Sequence, residues 1–189
     1  MANSGLSAAK NRVIGFFNTE VSMYILKDID KLDEIRPDKD GLCACAVPHA
    51  LMLFSVIDFF GYLTRDDSNP RKEDTYGNFK YLLSEQAGFF PMMYKDNCDK
   101  IVKLFRHGLT HQFFPKASGI AKAGGYPLIF QSSGIPNLNV DVLSKDVKEA
   151  LGKIKESILH SHDDILAERI NSRLDKLVIE DYETLSRVA

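Results

Sequence analysis

Histidine changes its charge near neutral pH, whereas arginine stays charged and offers a planar fork of donors that matches phosphate and carboxylate. The stretch KLFRHGLTHQFFPK, residues 103 to 116, sets both side-chain types close together as Arg106, His107 and His111. On a regular α-helix each residue advances about 100°, so His107 and His111 lie about 40° apart, whereas Arg106 and His111 lie about 140° apart. The histidines therefore share a face, and the arginine shares it only in part. Three readings fit. The set could transfer protons beside a bound anion. The histidine pair at i, i+4 could hold a metal, although the glutamate of a His-Glu-x-x-His site is missing. Or these are the polar side of an amphipathic helix whose buried side is Leu104, Phe105, Leu109 and Phe113. Gly108 between them costs a helix interior about 1 kcal/mol against alanine, which points to close backbone approach or a helix boundary.

A second group, CACAVPH, offers Cys43, Cys45 and His49, with Cys98 further along. Its Cys-x-Cys spacing differs from the usual zinc pair separated by two to four residues, and buried structural cysteines are the plainer reading. Three cysteines are an odd number, and Cys43 and Cys45 sit too close in sequence for a good mutual disulfide, so reduced thiols are expected.

The elements that must carry these residues are mostly helical. Apolar Val13, Ile14, Phe17, Val21, Tyr24 and Ile25 recur at spacings of three and four, which predicts a helix from Ser7 to about Leu26. KDIDKLDEIRPDKDG reads as a solvated linker that begins with the tail of that helix. A second helix, apolar nearly all round, should run from near Pro48 to about Leu63 and occupy the centre of a bundle. A shorter helical piece, NFKYLLSEQ, precedes Gly88 and Pro91, and the next helix should run from about Tyr94 through the Arg106 motif. KASGIAKAGG reads as a mobile loop. Leu128 to Gln131 and Leu138 to Val140 then form a hairpin around a Ser-Ser-Gly-Ile-Pro turn, before helical periodicity returns from Asp141; Ser161 and Asp164 could cap a separate last helix. The expected architecture is all-α: an up-and-down bundle of about five helices with a small hairpin near residues 126 to 140, as one domain over residues 1 to 189.

The phrase LFRHGLTHQFF, set late in such a bundle, resembles the HEPN superfamily (higher eukaryotes and prokaryotes nucleotide-binding), whose usual motif has the flavour YRNGLAHQY. His107 stands where Asn or Asp is commoner in that family. The resemblance implies a metal-independent endoribonuclease without cofactor, of the kind found among toxins and defence effectors, and also admits a non-catalytic member that binds a nucleotide or a protein partner. It implies His111 as the principal acid/base group, Arg106 as the phosphate stabiliser, and His107 as orienter of the phosphate or second proton-transfer group. It further implies a homodimer in which two motifs face one groove, and an antitoxin or regulatory protein as a further partner. Two copies would also answer the divergence of Arg106 from His111.

Composition is ordinary for a globular protein, and any anion binding must be local. The chain has 189 residues, 44% apolar and 26% charged, with a net charge of -2, which removes the simplest argument for a constitutive nucleic-acid binder. Between Lys95 and Lys122, however, Lys95, Lys100, Lys103, Arg106, Lys116 and Lys122 face only Asp96 and Asp99, a local balance of +4. Lys103 and Lys116 flank the motif and are the candidate substrate-binding cations. Asp58, alone in LFSVIDFFGYL, needs a partner if buried and could support Arg106 or His111 or simply bond backbone or hydroxyl groups. Phe54, Phe59, Phe60, Phe89, Phe90, Phe113 and Phe114 read as core and interface. The N-terminus lacks the pattern of a secretory signal, and PHALMLFSVIDFFGYL is too short and too interrupted for a membrane span, so a cytoplasmic setting without membrane partners is expected.

Overall fold

The computed structural model describes residues 7–37, 45–67, 71–84, 87–112, 118–161 and 164–188, apart from the side chains of 110–112 and 179–188. Helix α1 (Ala8–Phe16) starts where the Ser7 hydroxyl accepts from the Lys10 N–H, and runs through a π-helical stretch, Phe17–Ile25, into α2 (Leu26–Glu34). The charged run expected as a linker is therefore helix as far as Glu34, with residues 35–37 non-helical and 38–41 outside the described residues. It holds because Ile29 is buried and because Asp30 and Asp33 both accept from Lys148, at 2.9 and 2.8 Å. Charges that find partners across a helix interface do not need to be solvated loop.

Helix α3 (Ala46–Thr64) buries Leu53, Phe54, Ile57, Phe60 and Leu63 and packs against α2 and every later helix introduced below except α5. By length and composition it reaches what a membrane span needs, which the shorter apolar stretch in the sequence did not, yet 56% of that window is buried inside the protein. One edge is polar, with Ser55 exposed and Asp58 half-buried. Helix α4 (Thr75–Leu82) begins at Asp74, whose carboxylate accepts from the Gly77 N–H, and crosses α3 closely. Gly61 permits the crossing, because a Cβ there would sit 2.7 Å from the Asn78 carbonyl carbon.

Helix α5 (Met92–Lys100) passes through a second π-helical stretch, Ile101–Arg106, into α6 (His107–Gln112). The expected loop after it contains a strand, β1 (Gly119–Ala121), which pairs in parallel with β3 (Ile135–Asn139). Strand β2 (Ile129–Ser132) pairs antiparallel with β3 through a two-residue turn, Ser133 and Gly134, both at positive φ (52° and 77°). This is the turn geometry that suits the twist of a hairpin. The predicted hairpin is present, with its strands shifted so that Leu128 and Val140 flank the ladder, and the third strand forms because Lys122, Ala123 and Tyr126 are tied down: the Asn139 amide donates to the Ala123 and Tyr126 carbonyls, both at 2.7 Å.

Helices α7 (Val140–His160) and α8 (Ile165–Val188) complete the chain, parted near Ser161 as the sequence allowed. Asp164 leads into α8 and pairs with Lys10 at 2.9 Å. The described residues are thus mostly helical with one small three-stranded sheet, and one contiguous apolar cluster links α1, α3, α4, α5, α7, α8 and the sheet.

Candidate functional site

Asp58, alone on an apolar helix, needed partners, and α4 supplies them. Its Oδ2 accepts from the Thr75 hydroxyl and its Oδ1 from the Asn78 amide, both at 2.8 Å. Asn78 is fully buried, and its approach depends on the Gly61 crossing just described. Arg106 joins the same group from a third element. Its Nη2 donates to the Thr75 hydroxyl at 3.0 Å and lies 3.8 Å from Asp58 Oδ2, while Nη1 is 3.4 Å from His107 Nδ1. Thr75 is thus both donor and acceptor, a relay between carboxylate and guanidinium. Three segments, α3, α4 and the helix through Arg106, converge on one polar knot.

The backbone at this point is unusual. Arg106 ends the π-helical stretch, and the His107 N–H reaches back five residues to the Val102 carbonyl. Widened turns of this kind are frequent at functional sites, because they push side chains out of the regular spiral. Ile101, Val102, Phe105 and Leu109 bury the other side of the segment, as the sequence anticipated for Phe105 and Leu109. Arg106 and His107 are half-buried, on the partly solvated side. His111 lies on α6 one turn after His107; its side chain, like Lys116 and Phe113–Phe114, falls outside the described residues.

The local cation balance is smaller than the sequence suggested. Lys122 is buried and turned away from the motif, donating to the Leu32 carbonyl and, at 2.8 Å, to the Ile35 carbonyl at the end of α2; burial pushes its pKa down. It caps a helix C-terminus, where a cation is favoured. Lys103 is exposed and 3.7 Å from Asp99, a carboxylate that also accepts from the Tyr76 hydroxyl at 2.6 Å. The Tyr76 bond, then Lys103, lowers the Asp99 pKa. Lys95 and Lys100 are exposed on the same helix.

A second polar group lies between α2, α3 and α7. His49 is fully buried, 3.6 Å from Asp33, and among the described residues neither ring nitrogen has a hydrogen-bond partner. Burial drives its pKa down to about 4, against the opposing pull of Asp33. Asp33 is engaged elsewhere, accepting from Ser144 and Lys148. Cys45 is exposed just before α3, in a left-handed conformation, and Cys98 is buried with its thiol pushed up to about 11 by burial; Cys43 lies outside the described residues. Among the described residues no three His, Cys, Asp or Glu side chains cluster as metal ligands would.

The sequence pointed to Arg106, His107 and Asp58, and these are brought together; it missed Thr75 and Asn78. A signal existed in DTYGN, where Asp74 and Gly77 mark a helix start that must place the next polar side chains on its first turn. No family model, curated protein or solved structure matches the chain.

Proposed function

We propose that the chain is a HEPN-like, cytoplasmic protein that cleaves RNA without a metal at a groove formed by two copies, its helices arranged as an up-and-down bundle. The observation that carries this reading is the Arg106 guanidinium held beside the His107 ring, at the end of a widened helical turn and one turn before His111. A phosphate stabiliser must be preorganised, because donors that need not reorganise as charge develops are worth more than mobile ones. Thr75 and Asp58 provide that restraint.

In the reaction, a base takes the proton of the ribose 2′-OH, the resulting oxygen attacks the adjacent phosphorus, and an acid protonates the departing 5′-oxygen, leaving a 2′,3′-cyclic phosphate. His111 serves as the principal acid/base group and Arg106 neutralises the charge developing on the phosphoryl oxygens. His107 orients the phosphate or completes the second proton transfer. Exposed Lys103, with Lys116, contacts flanking phosphates. An antitoxin or regulatory protein that covers the groove would restrain such an activity.

A second reading has its own observation. Asp58 and Thr75 already engage Arg106, so the knot also serves as a brace between α3, α4 and the helix through the motif. In that case the chain is a non-catalytic dimeric scaffold that binds a nucleotide or protein partner. The test is incubation of the protein with mixed single-stranded and structured RNA in EDTA, beside Arg106→Ala and His111→Ala, with the cut ends mapped and the oligomeric state measured. Cleavage that leaves cyclic phosphate ends and vanishes in both variants is expected. A folded dimer that cuts nothing removes the ribonuclease reading in favour of the scaffold.

A further inference from the structure

Beside Asp58, α3, α8 and Lys72 line an open pocket of about 280 Å3 formed by Ser55, Asp58, Phe59, Tyr62, Lys72 and Leu177. The four α3 residues follow the i, i+3, i+4, i+7 spacing of a single helix face. That face is more open than the face of Leu53, Ile57 and Phe60, although Tyr62 at its end is buried. Here Phe59 and Leu177 are only half-buried, Ser55 and Lys72 are exposed, and a carboxylate sits between them. Small-molecule sites commonly start at about 300 Å3, so this pocket suits one planar ring system rather than a whole nucleotide.

Asp58 decides which ring. A carboxylate is acceptor-only, with about four lone-pair positions. Thr75 occupies one position on Oδ2 and Asn78 one on Oδ1, and the Arg106 Nη2, 3.8 Å from Oδ2, is too far for a hydrogen bond, which leaves one acceptor position on each oxygen. Two parallel acceptors pair with two adjacent donors. Among the nucleobases only guanine presents these on its Watson–Crick edge, as N1–H and the N2 amino group. Adenine and cytosine set a ring-nitrogen acceptor beside their amino group, and uracil sets carbonyls on both sides of its N–H, so each would bring lone pairs against the carboxylate. The rejection is as important as the attraction.

We propose that this pocket is a guanine subsite, with Asp58 accepting from N1–H and N2–H, Phe59 offering a stacking surface and Lys72 standing at the mouth. It deepens the ribonuclease reading and rests on it for its purpose: the same carboxylate lies 3.8 Å from Arg106, so a splayed guanine would place a neighbouring phosphate beside the proposed reaction centre. Single-stranded RNA is read in this way, by bases that leave the stack and are bonded on their edges. A bidentate pair of this type discriminates on the order of ten- to a hundredfold.

Calorimetric titration of the full chain with 5′-GMP, IMP, AMP, CMP and UMP tests the pocket independently of cleavage. GMP should bind at least tenfold tighter than AMP, CMP and UMP, and IMP, which lacks the N2 amino group, should bind several-fold weaker than GMP. Ser55→Trp, an exposed position at the rim whose fold is checked by thermal melting, should abolish GMP binding; Leu177→Trp fills the pocket from the other wall and should do the same. Absence of GMP binding, AMP binding as well as GMP, IMP equal to GMP, or full binding in both folded tryptophan variants each overturns the proposal. Cut-site mapping separates the two readings. Selective GMP binding by a chain that cuts no RNA supports the pocket and removes the ribonuclease, whereas cutting with no base preference and no GMP binding overturns the pocket and leaves the ribonuclease standing.

Discussion

Two polar groups in this molecule contain similar residue types and sit in opposite environments. Around Asp58, a carboxylate, a hydroxyl, an amide and a guanidinium are linked on a partly solvated side of the molecule, with His107 beside them. Around Asp33, a hydroxyl and a lysine both donate to one carboxylate, and the neighbouring His49 is sealed from water and, among the described residues, has no hydrogen-bond partner. A histidine and a carboxylate near each other do not by themselves make a reactive pair. What separates the groups is access: a proton can reach a half-buried ring, whereas burial holds His49 neutral through the range in which histidine normally titrates.

The sharpest way to break this comparison is to remove His49 from one side and, on the other, His111, which follows His107 by one turn on α6 and is the acid/base group of the ribonuclease reading. Loss of a general acid or base typically costs 10²- to 10⁴-fold in rate, or about 3 to 5 kcal/mol of barrier. His111→Ala should therefore lose RNA cleavage by that factor while its thermal midpoint stays near that of the parent. His49→Leu should cut RNA at the parental rate. Equal loss of cleavage in both would place the two groups in one functional unit and defeat the distinction.

Acid should distinguish them next. A histidine whose folded pKa is depressed binds its proton more readily in the unfolded chain, so its contribution to stability is complete above pH 6.5 and is lost as pH falls toward 4. The depression corresponds to at most about 3.5 kcal/mol, since one pKa unit is worth about 1.4 kcal/mol. Denaturant unfolding at pH 7.5, 6, 5 and 4.5 should show falling stability with a slope that His49→Leu flattens. Asp33, Asp141, Lys122 and Lys148 all act on the ring, and the opposing signs of their charges leave burial as the dominant cause. An unchanged slope in the variant would show that folding does not depress the His49 pKa.

Legibility in the sequence followed the same division. The apolar periodicity placed α3, α7 and the helix through Arg106 close to where they lie, because burial of a continuous stripe dominates the local choice. Charged α2 was read as linker because its partner, Lys148, is more than a hundred residues away in sequence. Strand β1 was read as loose loop for a related reason: its ladder partner, β3, arrives only later in the chain. The Arg106 motif was visible as residue types, and Asp58 as a carboxylate in need of a partner, but their common anchors Thr75 and Asn78 were not. Those contacts depend on the α3–α4 crossing, which a single glycine permits. Gly61→Ala should therefore cost about 1 to 3 kcal/mol by overpacking, because the obstructing atoms are backbone and cannot rotate away. It should also disturb Asn78 and, through Asp58, the position of Arg106. A chemical-denaturation curve matching the parent would show that α4 can shift without loss.

The smallest effect is the most discriminating. Thr75 Oγ1 donates to Asp58 and accepts from Arg106, and Ser144 Oγ donates to Asp33 at 2.9 Å. Each is a single hydroxyl in a polar group, and removing one such bond typically costs about 1 kcal/mol. Thr75→Val removes two such bonds and Ser144→Ala one, so both should lower stability, the former by up to about twice as much. Their consequences for activity should diverge. Without the Thr75 hydroxyl the Arg106 fork loses the contact that sets its angle, and a phosphate stabiliser displaced in this way should lower kcat by roughly tenfold with little change in KM, since the loss falls on the transition state. Ser144→Ala touches no group of the groove and should leave both constants unchanged. An unequal effect on kcat, with both variants folded, would assign Thr75 a positioning role that bracing alone does not explain; an unchanged kcat in both would reduce the Asp58 knot to the same structural status as its buried counterpart.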